Sequence, residues 1–121
     1  MASKAFYAIV AGAGPGTGRA VALQFAKVYP VVLLARKPES YNDLVTEINK
    51  TGGKAIGISA DTSDQTSVMS AFESIKKELP NSKLAAAVYN VGGRLSVTPF
   101  LETSVENLQA SWTANAYVLS Y

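Results

Sequence analysis

The sequence predicts an α/β fold built on a parallel sheet. Its apolar runs are continuous rather than alternating, as strands covered on both faces are, and stretches with helical periodicity separate them. Strand and helix alternate four times without an internal repeat or a linker, and right-handed crossovers allow the strand order 3-2-1-4. The predicted strands cover residues 6–11, 31–35, 54–59 and 84–89.

The first predicted strand leads into a loop, Gly12 to Gly18, in which every second residue is glycine. A buried strand that feeds a glycine turn at a helix N-terminus can bind an anion, because the first helical N–H groups lack partners within the helix. Glycines also let the backbone approach a pyrophosphate closely. Strand, loop and helix together predict dinucleotide binding, with a plain tight turn as the alternative.

Apolar stripes predict three helices between the strands. The first contains apolar residues from Ala20 to Val28. The second has apolar residues at i, i+3, i+4 and i+7 and is stopped by two glycines; its stripe is Tyr41, Leu44, Val45 and Ile48. Ser63 or Asp64 caps the third helix. The stripe of that helix is Val68, Phe72, Ile75 and Leu79.

A fourth predicted helix begins at a capping box over residues 103–106. We expect its apolar stripe to be buried; this stripe consists of Val105, Leu108, Trp112, Ala116 and Leu119.

Composition excludes several classes of function. The 121 residues fit one domain, and the net charge of +2 is scattered, so we expect no nucleic-acid surface. The sequence has no cysteine and no histidine, which removes disulfides, thiolate chemistry and the commonest metal ligand, and no metal site is expected. No apolar stretch approaches the ~20 residues needed to span a membrane. We therefore expect a cytoplasmic protein.

Four separated segments now resemble motifs of the short-chain dehydrogenase/reductase family. They are the glycine loop, Ala35-Arg36-Lys37, Asp61-Thr62 and Tyr89-Asn90-Val91-Gly92. The loop alone fits both G-x-x-x-G-x-G and G-x-G-x-G, and the other segments favour the family. The resemblance covers nearly the whole chain and implies a Rossmann-like α/β/α fold that binds a nicotinamide cofactor. In the loop, the implied cofactor-binding residues are Gly12, Gly14, Gly16, Thr17 and Gly18.

Arg36 and Lys37 predict which nicotinamide cofactor is bound. They end the second strand, where an acidic residue would hold the ribose of NAD. A guanidinium can instead bind a 2′-phosphate through paired hydrogen bonds, so the sequence predicts NADP(H). The alternative is a solvated strand end.

The two later motifs match the family less completely. Asp61-Thr62 resembles the Asp-Val pair beside the adenine ring, although an aspartate here is equally a helix cap. Asn90 and Gly92 match the family's Asn-Asn-Ala-Gly turn beside the cofactor, whereas Tyr89 and Val91 depart from it. The resemblance places Asn90, Val91 and Gly92 at the cofactor.

The candidate catalytic residues are Asn115, Tyr117 and Tyr121. By the resemblance, Asn115 corresponds to the helix-four asparagine that supports a water of the family's proton relay. The alternative is a helical asparagine whose side chain bonds to the backbone of its own helix. The family's catalytic Tyr-x-x-x-Lys occurs nowhere in the sequence, which is therefore expected to be truncated after the fourth helix. Tyr117 and Tyr121 stand one helical turn apart, and Arg94 is a further candidate for an anionic or carbonyl group.

Three functions stay open: a reductase-like enzyme acting on a small molecule, by redox or repurposed chemistry; a non-catalytic NADP-binding module or partner of a full-length reductase; and an inactive gene product. The exposed edge of the last strand and the apolar surface of the fourth helix predict a homo-oligomer, most simply a homodimer.

Overall fold

A computed structural model of the chain describes residues 5–92 and 97–116. Four parallel strands form one sheet in the order β3-β2-β1-β4, as predicted. The strands are β1 (Phe6–Ala11), β2 (Val31–Ala35), β3 (Ala55–Ser59) and β4 (Lys83–Tyr89). The helices are α1 (Thr17–Phe25), α2 (Asn42–Lys50), α3 (Gln65–Glu78) and α4 (Val105–Asn115), with 3₁₀ turns at Pro38–Ser40 and Phe100–Glu102.

Two apolar cores lie on opposite faces of the sheet, because successive residues of a strand point to opposite sides. In β2, Leu33 packs into one core with residues of α1 and α2, and its neighbour Val32 packs into the other with α3. Both side chains are fully buried. The continuous apolar runs of the sequence are therefore explained by helices on both faces, and the predicted three-layer α/β/α fold is confirmed.

Two of the predicted helical stripes face these cores. In the second stripe, Tyr41, Leu44 and Ile48 are buried and Val45 packs against the same core. In the third stripe, Ile75 and Leu79, the C-cap of α3, are buried.

At Phe72 the predicted stripe of α3 is wrong. This side chain is 40% exposed, and its neighbour Ala71 is buried instead. Ala71, Ile75 and Leu79 recur every four residues and form the buried face, so Phe72, one position round the helix from Ala71, lies at the border of that face.

The predicted burial of the fourth helix is wrong as well. Val105, Leu108 and Trp112 are 65%, 65% and 63% exposed, and Ala116 is half-buried. The physical reason is that none of these side chains reaches either apolar core. Leu119 lies outside the described residues.

The start of α4 differs slightly from the predicted capping box. The N-cap is Ser104 rather than Thr103, and its hydroxyl accepts a hydrogen bond from the Asn107 N–H at 3.1 Å. Across residues 5–92 and 97–116, no helix is long and apolar enough to cross a membrane.

Candidate functional site

A cleft of about 760 Å³ opens at the carboxyl edge of the sheet. Parallel strands place the loops that follow them at one edge, so motifs far apart in sequence meet there. All but one of the residues predicted to bind the cofactor line this cleft: Gly12, Gly14, Gly16, Thr17, Arg36, Lys37, Asp61, Thr62, Asn90, Val91 and Gly92. Their role in binding stays a prediction, but the fold brings them together.

Gly12 and Gly18 are glycines for reasons internal to the fold. Gly12 has a φ of 82°, a left-handed conformation, and a Cβ on it would collide with the carbonyl of Asn90. Gly18, the one predicted residue outside the cleft wall, is buried in α1, where a Cβ would collide with the Gly12 carbonyl oxygen. These two glycines fold the loop tightly between β1 and α1.

Gly14 differs from those two, because the fold gives no reason for it. Nothing lies within 4 Å of a Cβ built there, and its φ is not left-handed. A Cβ at Gly16, the N-cap of α1, would likewise meet nothing within 4 Å. A Cβ at either position would instead point into open space beside the cleft, where a ligand would approach. The helix end behind this wall carries partial positive charge.

Arg36, Lys37 and Ser40 form a second wall of the cleft, after the neighbouring strand. They follow β2 and are exposed. The intervening turn is held by the Ser40 N–H, which donates to the Lys37 carbonyl at 3.0 Å. Two cations and a hydroxyl therefore face the same cleft as the glycine loop.

Asp61 lies in this wall as a charged carboxylate. Its Oδ1 accepts hydrogen bonds from the Ser63 hydroxyl at 2.6 Å and from the Ser63 N–H at 2.9 Å. These bonds, the hydroxyl's first, and the positive charge of Arg36 hold the pKa of Asp61 below its usual 3.8, although partial burial opposes the shift.

The cap of α3 is Asp64, whose side chain accepts from the Thr66 N–H at 3.1 Å. Of the two candidate caps, Asp64 is therefore correct, and Asp61 is not needed to begin the helix.

The turn after β4 closes the cleft from the third side. The Asn90 N–H donates to the Ala11 carbonyl at 2.8 Å, and its side-chain amide lies 3.4 Å from the Gly12 carbonyl. Asn90 therefore ties the last strand to the glycine loop. Tyr89, where the sequence departs from the family pattern, donates its hydroxyl to the Ala114 carbonyl at 2.7 Å and so joins this turn to α4.

Asn115 is the one catalytic candidate that the structure describes. Its side-chain amide donates to the Ser111 carbonyl at 2.8 Å, which is the local helical bond considered as the alternative. Its Oδ1 also lies 3.9 Å from a Cβ built on Gly92, so it stands beside the cleft turn. Tyr117, Tyr121 and Arg94 lie outside the described residues.

Sequence reasoning missed several residues of the cleft. Ser40 and Ser63 line it, as does Ala114 of α4. The signal for Ser63 was available, because an aspartate two residues before a serine forms an Asx turn. Within the described ranges, no group of three or more carboxylates is placed to hold a metal ion.

Comparison with known proteins identifies relatives of this chain. The family model for short chain dehydrogenases matches residues 7–118. Tetrahydroxynaphthalene reductase from Pestalotiopsis fici is 32% identical over 108 residues, covering 84% of this chain and 38% of that protein. Very-long-chain 3-oxoacyl-CoA reductase from Lodderomyces elongisporus is 30% identical over 119 residues, covering 94% and 33%.

Solved structures show the same fold. A short-chain type dehydrogenase/reductase from Mycobacterium marinum has a TM-score of 0.85 at 28% identity, covering 95% of this chain and 46% of that one. A metagenomic short-chain oxidoreductase solved in complex with NADP has a TM-score of 0.86 at 24% identity, covering 96% and 53%. The chain thus spans about a third of these curated relatives and about half of these structures.

Proposed function

Because this chain belongs to the short-chain dehydrogenase family, we propose that it binds NADP(H) in the cleft and takes part in the oxidation or reduction of a small molecule. The cleft itself carries the proposal. It joins a bare glycine wall at a helix N-terminus to a wall that bears Arg36 and Lys37. The glycine wall suits the pyrophosphate of the cofactor, and the basic wall suits its 2′-phosphate.

The glycine wall fits the pyrophosphate. Gly14 and Gly16 leave an open cradle that a Cβ would fill. The first-turn N–H groups of α1 and its dipole favour a negative group there, and that turn carries no acidic side chain to compete.

The basic wall fits the 2′-phosphate of NADP(H). Arg36 offers a planar fork of donors and Lys37 adds a second positive charge. Asp61 stands nearby as a carboxylate, so the wall also has an acceptor for an adenine amino group. NAD(H) has no phosphate to pair with the two cations, which is why we propose the phosphorylated cofactor.

A bound nicotinamide would supply or accept a hydride, and this chain's own residues would hold the cofactor at the sheet edge. Asn115, Tyr117 and Tyr121 remain the proposed catalytic residues. Because the 121 residues contain no Tyr-x-x-x-Lys, we expect turnover by this chain to be slow. The small-molecule substrate and a cytoplasmic location belong to the same proposal, and a repurposed reaction without hydride transfer stays open.

A second candidate function is a non-catalytic NADP-binding module that acts through a partner. The exposed apolar side chains of α4 favour it, together with the outer edge of β4, with which no strand of the described chain pairs. An unpaired strand edge and exposed apolar groups mark interfaces. We propose a two-fold homodimer through these surfaces, with a full-length reductase as the alternative partner.

Two assays separate these functions. Calorimetric titration with NADPH should give one site per chain, and absorbance then follows whether a carbonyl compound causes NADPH oxidation. Binding with turnover supports the enzyme, and Tyr117→Phe and Tyr121→Phe then test the tyrosines. Binding without turnover supports the module, whereas no NADPH binding would overturn both.

A further inference from the structure

The loop that carries Arg36 and Lys37 is fastened at both ends to the carboxyl end of β3. Its first end, Ala35, is the ladder partner of Ser59, and the Ala35 carbonyl accepts from the Ala60 N–H at 2.9 Å. Its second end, Tyr41, forms a 2.9 Å hydrogen bond between its hydroxyl and that of Ser59. Residues 36–40 therefore form a short arch, with one end bonded to Ala60 and the other to Ser59.

The ring of Tyr41 is also held in place. It is 7% exposed, belongs to the core under α1 and α2, and lies directly over Gly57 of β3. A Cβ at Gly57 would collide with the ring, so the bare glycine makes room for it. Apolar packing fixes the ring, and the hydroxyl is left to make one directed bond at the end of the strand.

We propose that Tyr41 is a positioning residue for the recognition of the 2′-phosphate. Through its bond to Ser59 it would set the height of the arch, and hence the places of Arg36, Lys37 and Ser40 at the cleft. This inference rests on the proposed NADP(H) binding and assigns the selectivity of that site partly to a side chain that does not line the cleft.

The geometry explains why the hydroxyl bond acts on selectivity rather than on binding in general. The arch bears the two cations, whereas the glycine wall belongs to the loop after β1. Losing the bond removes the direct tie between the arch and Ser59, while the packing of the Tyr41 ring still holds its second end near β3. The side chains of Arg36 and Lys37 are then held less precisely, whereas the glycine wall proposed for the pyrophosphate is unchanged.

The test compares adenosine 2′,5′-bisphosphate with 5′-AMP, which differ only in the 2′-phosphate. Calorimetry gives the ratio of the two dissociation constants for the unaltered protein and for Tyr41→Phe, Ser59→Ala and the double variant. Each single change should reduce the ratio by about three- to tenfold, as the loss of one neutral hydrogen bond predicts. The double variant should reduce it no further than either single change, because both remove the same bond.

Tyr29→Phe is the matched control. Tyr29 is half-buried and packs beside Phe25 with ring centroids 6.5 Å apart; it lies between α1 and the start of β2, whereas the arch follows the end of β2. The ratio of the two dissociation constants for Tyr29→Phe should equal that for the unaltered protein. Ser59 is exposed, so Ser59→Ala keeps the test available even if Tyr41→Phe folds poorly.

Three results would overturn the inference. If the unaltered protein prefers the 2′-phosphate and both single variants keep the full preference, Tyr41 has no positioning role and the proposed function stands. If both ligands weaken equally, the bond supports the fold in general. If the unaltered protein shows no preference, the proposed NADP(H) selectivity fails together with this inference.

Discussion

Single glycines of the loop have separable roles. Gly18 touches the Gly12 carbonyl so closely that a side chain cannot fit, whereas Gly14 faces open space at the cleft. The first kind of glycine permits the fold, and the second leaves open space for the cofactor that we propose.

This difference gives a matched pair of variants. Gly18→Ala should lower the free energy of unfolding by more than about 1 kcal/mol, because the loop backbone must move to admit a Cβ. Gly14→Ala should leave unfolding nearly unchanged and weaken NADPH binding by about tenfold or more, by filling the cradle. Urea unfolding and calorimetry measure the two effects. Equal stability of the two variants would contradict the role assigned to Gly18. Unchanged NADPH binding by Gly14→Ala would contradict the role assigned to Gly14.

An ion pair joins two of the helices, and it is exposed to solvent. Arg19 of α1 and Glu47 of α2 form an ion pair at 2.6 Å, but their side chains are 39% and 40% exposed. Water and salt screen such a pair. We expect Arg19→Ala to cost less than about 1 kcal/mol in urea unfolding, and a larger loss would show that the pair anchors α1 to α2.

The turn between β3 and α3 predicts a pH dependence. Ser63 hydrogen bonds lower the pKa of Asp61, so the folded state favours the charged carboxylate. The stabilisation is present above the ordinary aspartate pKa of 3.8 and is lost as the pH falls through the lowered value.

Ser63→Ala should therefore raise the pKa of Asp61, because the hydroxyl bond is the largest cause of the shift. Carboxyl carbon chemical shifts followed by NMR against pH measure this value directly. Thr66→Ala, a change in the first turn of the same helix, serves as the control and should leave the pKa in place. An unchanged pKa in Ser63→Ala would contradict the assigned cause.

The whole molecule carries one sensitive reporter of assembly. Trp112 is the single tryptophan of the sequence and is 63% exposed on α4. If two copies meet through α4, tryptophan emission should shift to shorter wavelength as the protein concentration rises, and light scattering should give twice the chain mass.

Leu108→Glu, on the same helix, should return the mass to that of one chain with little effect on unfolding, because Leu108 is exposed in the monomer. Met69→Glu on α3, where Met69 is also exposed, introduces the same charge elsewhere and should leave the mass unchanged. A single-chain mass for the unaltered protein, with no emission shift, would contradict the dimer.

How much of the fold and the site can be predicted from the sequence depends on what hydrophobic periodicity reports. It locates the sheet and the cleft, because continuous apolar runs and a glycine loop after β1 leave few arrangements. It identifies the apolar face of α4 but does not tell whether anything covers that face. Periodicity also does not distinguish Asp61 from Asp64 before α3, and so does not show that Asp64 is the cap. The Tyr41–Ser59 bond joins residues eighteen positions apart and depends on tertiary packing.

The central claim, that the cleft binds NADP(H) through its two walls, is tested most directly by calorimetric titration with NADPH and NADH of the unaltered protein and of Arg36→Ala. A charge-assisted contact is worth ~1.5–3 kcal/mol, so Arg36→Ala should weaken NADPH by about tenfold or more and leave NADH nearly unchanged. Equal affinity of the unaltered protein for the two cofactors would contradict the claim.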